Sequence, residues 1–179
     1  MKNKTVVFSI LAASAAVLML TSFKGKKKKV EVVKPFSQEK YLGKWFEIAR
    51  LNYVWEKNLD NVTATYSMRP DGKIKVDNKG YNYKKEKWAE SVGKARPVGD
   101  ANEGALEVSF FGPFYAGYNV VAITSDYQYA LVVGDNTDYM WILSRERTIP
   151  SDIKDEFLKK ATALDYDIEK LIWGKHDKD

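Results

Sequence analysis

Residues able to do nucleophilic or metal chemistry are scarce in this chain. It contains one histidine, His176, in a polar stretch near the C-terminus, and no cysteine. This composition argues against a Ser-His-Asp triad and a thiol nucleophile, and against zinc or haem iron held by histidine or thiolate ligands. The glycines occur singly at turns, so no glycine-rich loop is present to hold a phosphate. We therefore expect no catalytic residues, no metal and no cofactor.

The positive charge of the chain is concentrated at its N-terminal end. The formal net charge is +5, yet the first 29 residues contain seven lysines and no acidic residue. The remainder of the chain is therefore slightly acidic. Nucleic-acid binding needs a basic surface on the folded part of a protein, so we expect no nucleic-acid partner. The hydrophobic content of 45% is enough for the core of one domain.

Short apolar runs alternate with turn residues from 43 to 146, as in an up-and-down antiparallel barrel. Pro70-Asp71-Gly72 is the clearest turn. Ser151 is a favourable N-cap for a helix on which Ile153 and Phe157 share one apolar face. The predicted fold is all-β, an eight-stranded antiparallel up-and-down barrel with a C-terminal α-helix packed outside. The predicted strands are 43–51, 61–68, 73–79, 85–94, 105–111, 117–124, 127–133 and 139–146, with a short additional strand at 171–173.

Three short motifs occur in order along this pattern: Gly43-Lys44-Trp45, Thr124-Ser125-Asp126-Tyr127, and the Arg145 that closes the last barrel strand. Together they resemble the signature of the lipocalin family. Further likeness at 62–67, 110–114 and 141–145 is to the bacterial lipocalins related to apolipoprotein D. The resemblance covers about residues 36 to 174. It implies that Trp45 plugs the closed end and that Arg145 stacks on its ring. Gly43, Trp45, Asp126, Tyr127 and Arg145 are thus expected to determine the fold rather than to contact a ligand.

If Trp45 faces the barrel interior, strand alternation orients its neighbours. Glu47, Ala49 and Leu51 are then predicted to face inward, and Phe46, Ile48 and Arg50 outward. Extended with help from the resemblance, the same parity predicts an apolar inner wall that leaves room for a guest molecule. The predicted ligand-binding residues are Ala64, Tyr66, Val76, Val108, Phe110, Tyr118, Val120, Val132, Trp141 and Leu143. Ile74, Ala122 and Ala130 are also predicted to face inward.

Glu47 is the acidic residue that this register places inside the barrel. There it could orient a polar group of a ligand, or repel the head of a free fatty acid toward the mouth. It could also pair with a nearby lysine, tyrosine or backbone donor and have only a structural role. Of the two hypotheses, we favour the structural role.

Aromatic residues are frequent in the connections at 52–60, 80–84, 112–116 and 134–138, which the topology places around the open end. They are Tyr53, Trp55, Tyr81, Tyr83, Phe114 and Tyr115. Because loops are usually polar, these rings predict a rim that meets lipid or closes over a ligand. The alternative is that several of them fold under the loops as a satellite of the core.

The two ends of the chain carry the predictions about location. Residues 1–23 are typical of an export signal, and the same stretch is also long enough to remain as an uncleaved membrane anchor. Residues 24–35 are predicted to be a lysine-rich flexible arm, 36–174 the lipocalin domain and 175–179 a polar tail. Many bacterial lipocalins carry a lipidated cysteine after the signal, which this chain lacks. We expect an exported protein in the periplasm or associated with the envelope, not lipidated through cysteine.

The resemblance implies non-covalent binding, storage or transport of a lipid-like apolar ligand, a fatty acid or a lysophospholipid, in the bacterial cell envelope. The residues alone support an elongated apolar guest. Two alternatives stay open: an isomerase or hydrolase that acts inside the barrel through Glu47 and tyrosines, and a protein-interaction module whose barrel is filled by its own side chains. We expect a lipid-like partner and peripheral contact with membrane surfaces, and leave open whether the protein is a monomer or a dimer.

Overall fold

The computed structural model of the protein describes residues 29–51 and 58–178. The strands in these ranges are β1 (Gly43–Leu51), β2 (Leu59–Met68), β3 (Ile74–Asn82), β4 (Lys87–Pro97), β5 (Ala105–Phe111), β6 (Phe114–Ile123), β7 (Tyr129–Val133), β8 (Met140–Ser144) and β9 (Leu171–Trp173). Strands β2 to β8 follow one another in the sheet, β8 pairs with β1, and β1 pairs with β2 to close the barrel. All of these pairings are antiparallel. The predicted eight-stranded barrel is confirmed.

Two α-helices lie in the same part of the chain, α1 (Gln38–Tyr41) and α2 (Ser151–Ala163), and a 3₁₀ turn covers Ile168–Lys170. The predicted C-terminal helix is confirmed, but Ser151 is its first residue and not its cap. Pro150 occupies the N-cap position, and no side chain caps the helix there. Among the described residues, no helix is long and apolar enough to cross a membrane.

The apolar core has two parts, one on each face of the barrel wall. An inner cluster fills the lower interior, and an outer cluster packs α2 against β1, β7 and β8. The inner cluster includes Phe36, Tyr41, Trp45, Tyr66, Ile74, Val76, Ala95, Leu106, Tyr118, Val120, Ala130, Val132 and Leu143. The outer cluster includes Ile48, Ala49, Leu51, Val121, Leu131, Val133, Met140, Ile142, Phe157, Ala161 and Tyr166.

A β-bulge in β1 overturns part of the predicted register. The pairing of β1 with β8 shifts between Glu47 and Ala49, and one extra residue turns all later side chains to the opposite face. Ala49 and Leu51, which we predicted to face inward, lie in the outer cluster. Arg50, predicted to face outward, lies opposite the inward-facing Trp141 and is buried.

A second bulge in β6 has the same effect. The pairing with β7 shifts between Val120 and Ala122. Ala122 packs against the outer cluster, so our prediction that it faces inward is wrong. Ile123 packs against the inner cluster in its place. The other residues predicted for the inner wall lie in the inner cluster or against it.

Arg145 holds the closed end of the barrel together. Its guanidinium carbon lies 3.8 Å from the centroid of the Trp45 ring, as the resemblance implies. The same group donates hydrogen bonds to the carbonyls of Lys40 (2.9 Å), Leu42 (2.8 Å) and Lys44 (2.8 Å). One side chain thus satisfies carbonyls at the end of α1 and fixes the path of the chain into β1.

Two other motif residues shape the turn between β6 and β7 at this end. Asp126 accepts hydrogen bonds from the Thr124 hydroxyl (2.6 Å) and the Gln128 amide (3.2 Å). The Tyr127 hydroxyl accepts one from the Ser37 amide (2.8 Å). Gly43 adopts a φ of +94°, which side chains disfavour, and a Cβ there would lie 3.3 Å from the Arg145 guanidinium. Asp126, Tyr127 and Gly43 thus all make contacts that shape the closed end of the barrel.

Replacing Arg145 with alanine should lower the free energy of unfolding by about 2–3 kcal/mol, because charge-assisted hydrogen bonds to several carbonyls are lost. Urea denaturation measures the change. Arg69→Ala is the matched control, because Arg69 is exposed and pairs with Asp71 on the surface, where the expected loss is below about 1 kcal/mol. Equal stability of the two variants would contradict the role assigned to Arg145.

The chain before β1 crosses the closed end. The Val33 amide donates to the Val120 carbonyl and the Val33 carbonyl accepts from the Gly104 amide, both at 2.9 Å. Val33 packs on the inner cluster and Val30 on the outer one. Within the arm predicted to be flexible at 24–35, Val30, Val33 and Lys34 thus make contacts with the barrel domain. Residues 24–28 and the predicted signal at 1–23 lie outside the described residues.

Gly174 and the predicted polar tail after it bridge β1 and β2 above the point where their ladder ends. That ladder extends from Gly43 to Phe46 on β1. Beyond it, the Gly174 amide donates to the Ile48 carbonyl (2.9 Å), the Asn61 amide to Lys175 (2.8 Å), and the Lys178 amide to the Asn61 side chain (2.8 Å). The tail therefore helps to close the barrel on the side of the mouth.

Candidate functional site

The barrel interior is packed near its floor and more open above it. Ile74, Ala95 and Leu106, near the closed end, are almost fully buried. Farther up, inward-facing residues are only partly buried although they pack on the inner cluster; these are Ala64, Val108, Phe110 and Trp141. Their partial exposure inside a closed wall shows that the upper interior is not filled by the described side chains.

The wall formed by β3 and β4 is lined by small residues. Val76 faces inward, and alternation along the ladder places Asn78 and Gly80 on the same face, opposite Ser91 and Ala89. Gly93 lies beneath Phe110, whose ring would be 2.8 Å from a Cβ there. Sequence reasoning did not assign the inward residues of β4, although their small size and alternation could have indicated them.

Phe110, Tyr118 and Trp141 place large rings elsewhere on this inner wall. The Tyr118 and Trp141 rings are stacked with centroids 6.4 Å apart, and Trp141 also stacks on Tyr139. Small residues on β3 and β4 and rings on β5, β6 and β8 thus surround one apolar space. These rings include three of the residues predicted to bind a ligand.

Three tyrosines from different elements meet at the base of this space: Tyr41 of α1, Tyr66 of β2 and Tyr118 of β6. The Tyr118 hydroxyl lies 2.7 Å from that of Tyr41 and 2.8 Å from that of Tyr66. Burial raises the pKa of Tyr66 to about 12, and raises the pKa of Tyr41 and of Tyr118 well above the usual range. All three hydroxyls are therefore uncharged at neutral pH. Tyr41 was missed by sequence reasoning because it precedes the first strand, where strand parity gives no orientation.

Glu47 forms a buried ion pair with Arg50. Its Oε1 lies 2.6 Å from an Arg50 guanidinium nitrogen, and both side chains are almost fully buried. Burial raises the pKa of the Glu47 carboxyl, and the Arg50 charge opposes that shift. Arg50 also donates to the Leu59 carbonyl (3.0 Å), which joins β1 to β2. The predicted lysine, tyrosine or backbone partner is wrong, because the bulge brings Arg50 inside, but a structural role for Glu47 agrees with this geometry.

The aromatic residues predicted at the mouth are distributed over several environments. Tyr83 is 47% exposed and Phe114 is partly buried. Tyr81 and Tyr115 lie under cations, with Lys178 4.6 Å from the Tyr81 centroid and Arg96 4.3 Å from that of Tyr115. The exposed Phe111 next to this end was not predicted. Tyr53 and Trp55 lie outside the described residues.

A family model described as a lipocalin-like domain matches residues 36–176. The outer membrane lipoprotein Blc of Citrobacter freundii is 49% identical over 167 residues, which cover 93% of this chain and 94% of that protein. Apolipoprotein D of Macaca fascicularis is 32% identical and covers 82% of this chain and 80% of its own. Among solved structures, insecticyanin of the tobacco hornworm Manduca sexta superposes with a TM-score of 0.69 at 24% identity, covering 84% and 86% of the two chains. With the barrel, the Trp45–Arg145 floor and these matches together, this chain belongs to the lipocalin family.

Proposed function

We propose that this protein binds an elongated, apolar, lipid-like molecule non-covalently inside the barrel, and stores or carries it. A fatty acid or a lysophospholipid fits this description. The observation that supports the proposal is the partly exposed apolar wall above a packed floor, which includes Val108, Phe110 and Trp141. Such a concave, largely preformed and mostly apolar space is what small apolar ligands require.

Burial of the ligand's acyl chain alone can supply the affinity for a lipid. Each buried methylene contributes about 0.8 kcal/mol before the costs of ordering and association are subtracted. A long acyl chain held by the inner wall would therefore bind without a strong ionic contact. The proposed ligand-binding residues remain the predicted ones: Ala64, Val108, Phe110 and Trp141 line the open part of the wall. Tyr66, Val76, Tyr118, Val120, Val132 and Leu143 form the buried base against which the ligand would end.

An enzymatic role has less support. A general base works best with a pKa near the working pH, whereas the interior tyrosines have a raised pKa and Glu47 is paired with Arg50. The names of the matching relatives are those of lipocalins, lipoproteins and apolipoproteins. The part-exposed inner wall likewise argues against a barrel filled by its own side chains.

Native mass spectrometry of the protein purified from its own envelope tests the proposal. We expect a bound lipid that leaves on mild activation with its mass unchanged. Conversion of that lipid during incubation would favour the isomerase or hydrolase. A barrel that stays empty, also after incubation with fatty acids and lysophospholipids, would contradict ligand storage and favour the interaction module.

We also propose that the protein resides in the cell envelope without a cysteine-linked lipid. The bacterial relatives are named outer membrane lipoproteins, but these 179 residues contain no cysteine to which a lipid could be attached. The lysines at 24–29 would bind anionic membrane surfaces, each contributing about 1 kcal/mol near such a surface. Because Val33 crosses the closed end, the described chain from residue 30 onward enters the barrel opposite the mouth.

Cell fractionation checks this localisation. We expect the protein in the periplasmic fraction, or on membranes from which high salt releases it, because salt screens the attraction between lysines and lipid phosphates. Replacing the lysines at 26–29 with glutamine should give the same release at low salt. Extraction by detergent alone, whatever the salt, would instead indicate an uncleaved anchor at 1–23.

A further inference from the structure

Tyr41, Tyr66 and Tyr118, the tyrosine trio at the base of the barrel, have one more O–H donor than they use in hydrogen bonds with one another. Three hydroxyls carry three O–H donors, and each hydrogen bond uses one of them. The trio makes two bonds, Tyr41 to Tyr118 and Tyr118 to Tyr66. Whichever way the hydroxyls rotate, one donor has no acceptor within the trio.

The surroundings of the trio offer this donor little else. Tyr41, Tyr66 and Tyr118 are each more than nine-tenths buried. Below them, the Tyr41 ring packs on Trp45 and Phe36, with centroids 4.9 and 5.3 Å away. Around them the inner cluster packs apolar side chains, and the inward-facing Asn78 side-chain oxygen, although buried, accepts no hydrogen bond from them. A buried donor without an acceptor destabilises a folded protein, and an arriving oxygen atom would satisfy it.

We propose that this trio is a polar subsite that receives the oxygen-bearing end of the ligand, as an uncharged carboxyl group, while the acyl chain extends toward the mouth. The inference rests on the proposed lipid binding and adds an orientation to it. The carboxyl carbonyl accepts the remaining tyrosine donor. The carboxyl O–H donates to a lone pair of a tyrosine oxygen. Both partners are thereby satisfied.

The neutral form follows from the charges near the subsite. A carboxylate only accepts hydrogen bonds and is costly to bury without a cation. On β1, the Arg50 charge is already paired with Glu47. After β8, Arg145 lies against Trp45 and donates to backbone carbonyls at the closed end. The Arg145 charge still reaches Tyr41 and Tyr66, but its hydrogen-bond donors point at the carbonyls, so it offers the carboxyl no hydrogen-bonded ion pair. The Glu47 carboxylate, whose charge adds to the effect of burial in raising the pKa of Tyr66, opposes a second negative charge beside it.

The test uses palmitic acid labelled with ¹³C at its carboxyl carbon and bound to the full-length protein. The carboxyl shift is followed by NMR from about pH 4 to about pH 9. At the trio, the carboxyl should titrate at least about two pH units above its usual range, and a soluble gadolinium chelate should not broaden its signal. A carboxyl at the mouth would titrate as in water and be broadened, which would overturn the orientation.

Variants show whether the tyrosine trio holds the carboxyl group of the bound palmitate. Tyr41→Phe/Tyr66→Phe/Tyr118→Phe removes all three hydroxyls with little change of shape. It should lower palmitate affinity about tenfold or more and shift the bound carboxyl signal. Tyr166→Phe is the control, because it removes a buried, hydrogen-bonded hydroxyl from the outer cluster. It should leave palmitate affinity and the carboxyl signal unchanged.

Two further outcomes are separable. If the triple variant does not fold by circular dichroism, Tyr118→Phe alone should still move the carboxyl signal, because it removes the shared central hydroxyl. An unmoved signal in a folded variant would mean that another acceptor, such as a buried water, satisfies the donor, and would overturn the subsite. If wild-type protein binds no palmitate and no other lipid, the proposed function itself fails.

Discussion

Replacing Arg50 with methionine should lower the free energy of unfolding by about 3–5 kcal/mol at neutral pH, because it leaves the buried Glu47 carboxylate without its cation. The pair is 2.6 Å apart and almost fully buried. The substitution also removes the hydrogen bond to the Leu59 carbonyl, which links β1 to β2 where their ladder has ended. Chemical denaturation of the two proteins measures the loss.

The loss in Arg50→Met should depend on pH. Burial raises the pKa of Glu47 in the folded state, so the folded variant holds a proton more tightly than the unfolded chain does. The penalty is therefore small below the unfolded value of about 4.3 and grows as the pH rises through the folded value. Adding Glu47→Gln should abolish this dependence and recover part of the stability. A pH-independent loss in Arg50→Met would contradict the ion-pair explanation.

Strand alternation predicted most of the inner wall because one face of each strand is buried in the barrel, which fixes the register of its side chains. It gave the correct face for Tyr66 on β2, Val76 on β3 and Trp141 on β8. The fold itself was predictable because Gly43, Trp45 and Arg145, which form the barrel floor, occur in motifs typical of the family.

The bulges were not predictable from the sequence. Ile48 in β1 and Val121 in β6 are apolar residues within apolar runs, and either face of the wall accepts an apolar side chain where α2 covers the outside. Composition therefore gives no sign of the extra residue. The first bulge matters for the barrel interior because it places Arg50 beside Glu47. The acid that the sequence predicted to stand alone there forms an ion pair with no net charge.

The elements outside the strands were missed for a different reason. Tyr41 lies on α1, and Gly174 and the polar tail after it are held largely through their own backbone amides and carbonyls. Backbone hydrogen bonds depend little on residue type, so the sequence at 175–179 predicted only a polar tail and not its contacts with β1 and β2. Val30 and Val33 were assigned to the flexible arm because they directly follow a run of lysines.

Replacing Val108 with aspartate should abolish lipid binding, with a loss of at least about 100-fold in affinity, because an unpaired carboxylate would face the acyl chain in an apolar cavity. Val108 is partly buried, lies opposite Ala95 and Ala116, and packs on the inner cluster. The small neighbours and the open interior should let the variant fold. Displacement of a fluorescent fatty acid measures binding, and circular dichroism confirms the fold.

Two matched variants separate charge from position. Val108→Asn has nearly the same shape as the aspartate without its charge, and should lose only about tenfold. Thr63→Asp places the same charge on the outer face, opposite Lys79, where a cross-strand pair is favourable. It is a better control than Thr65→Asp, which would stand opposite Asp77. Normal binding by folded Val108→Asp together with loss of binding by Thr63→Asp would place the ligand on the other face of the wall, and the interior would then have to be filled by the protein itself.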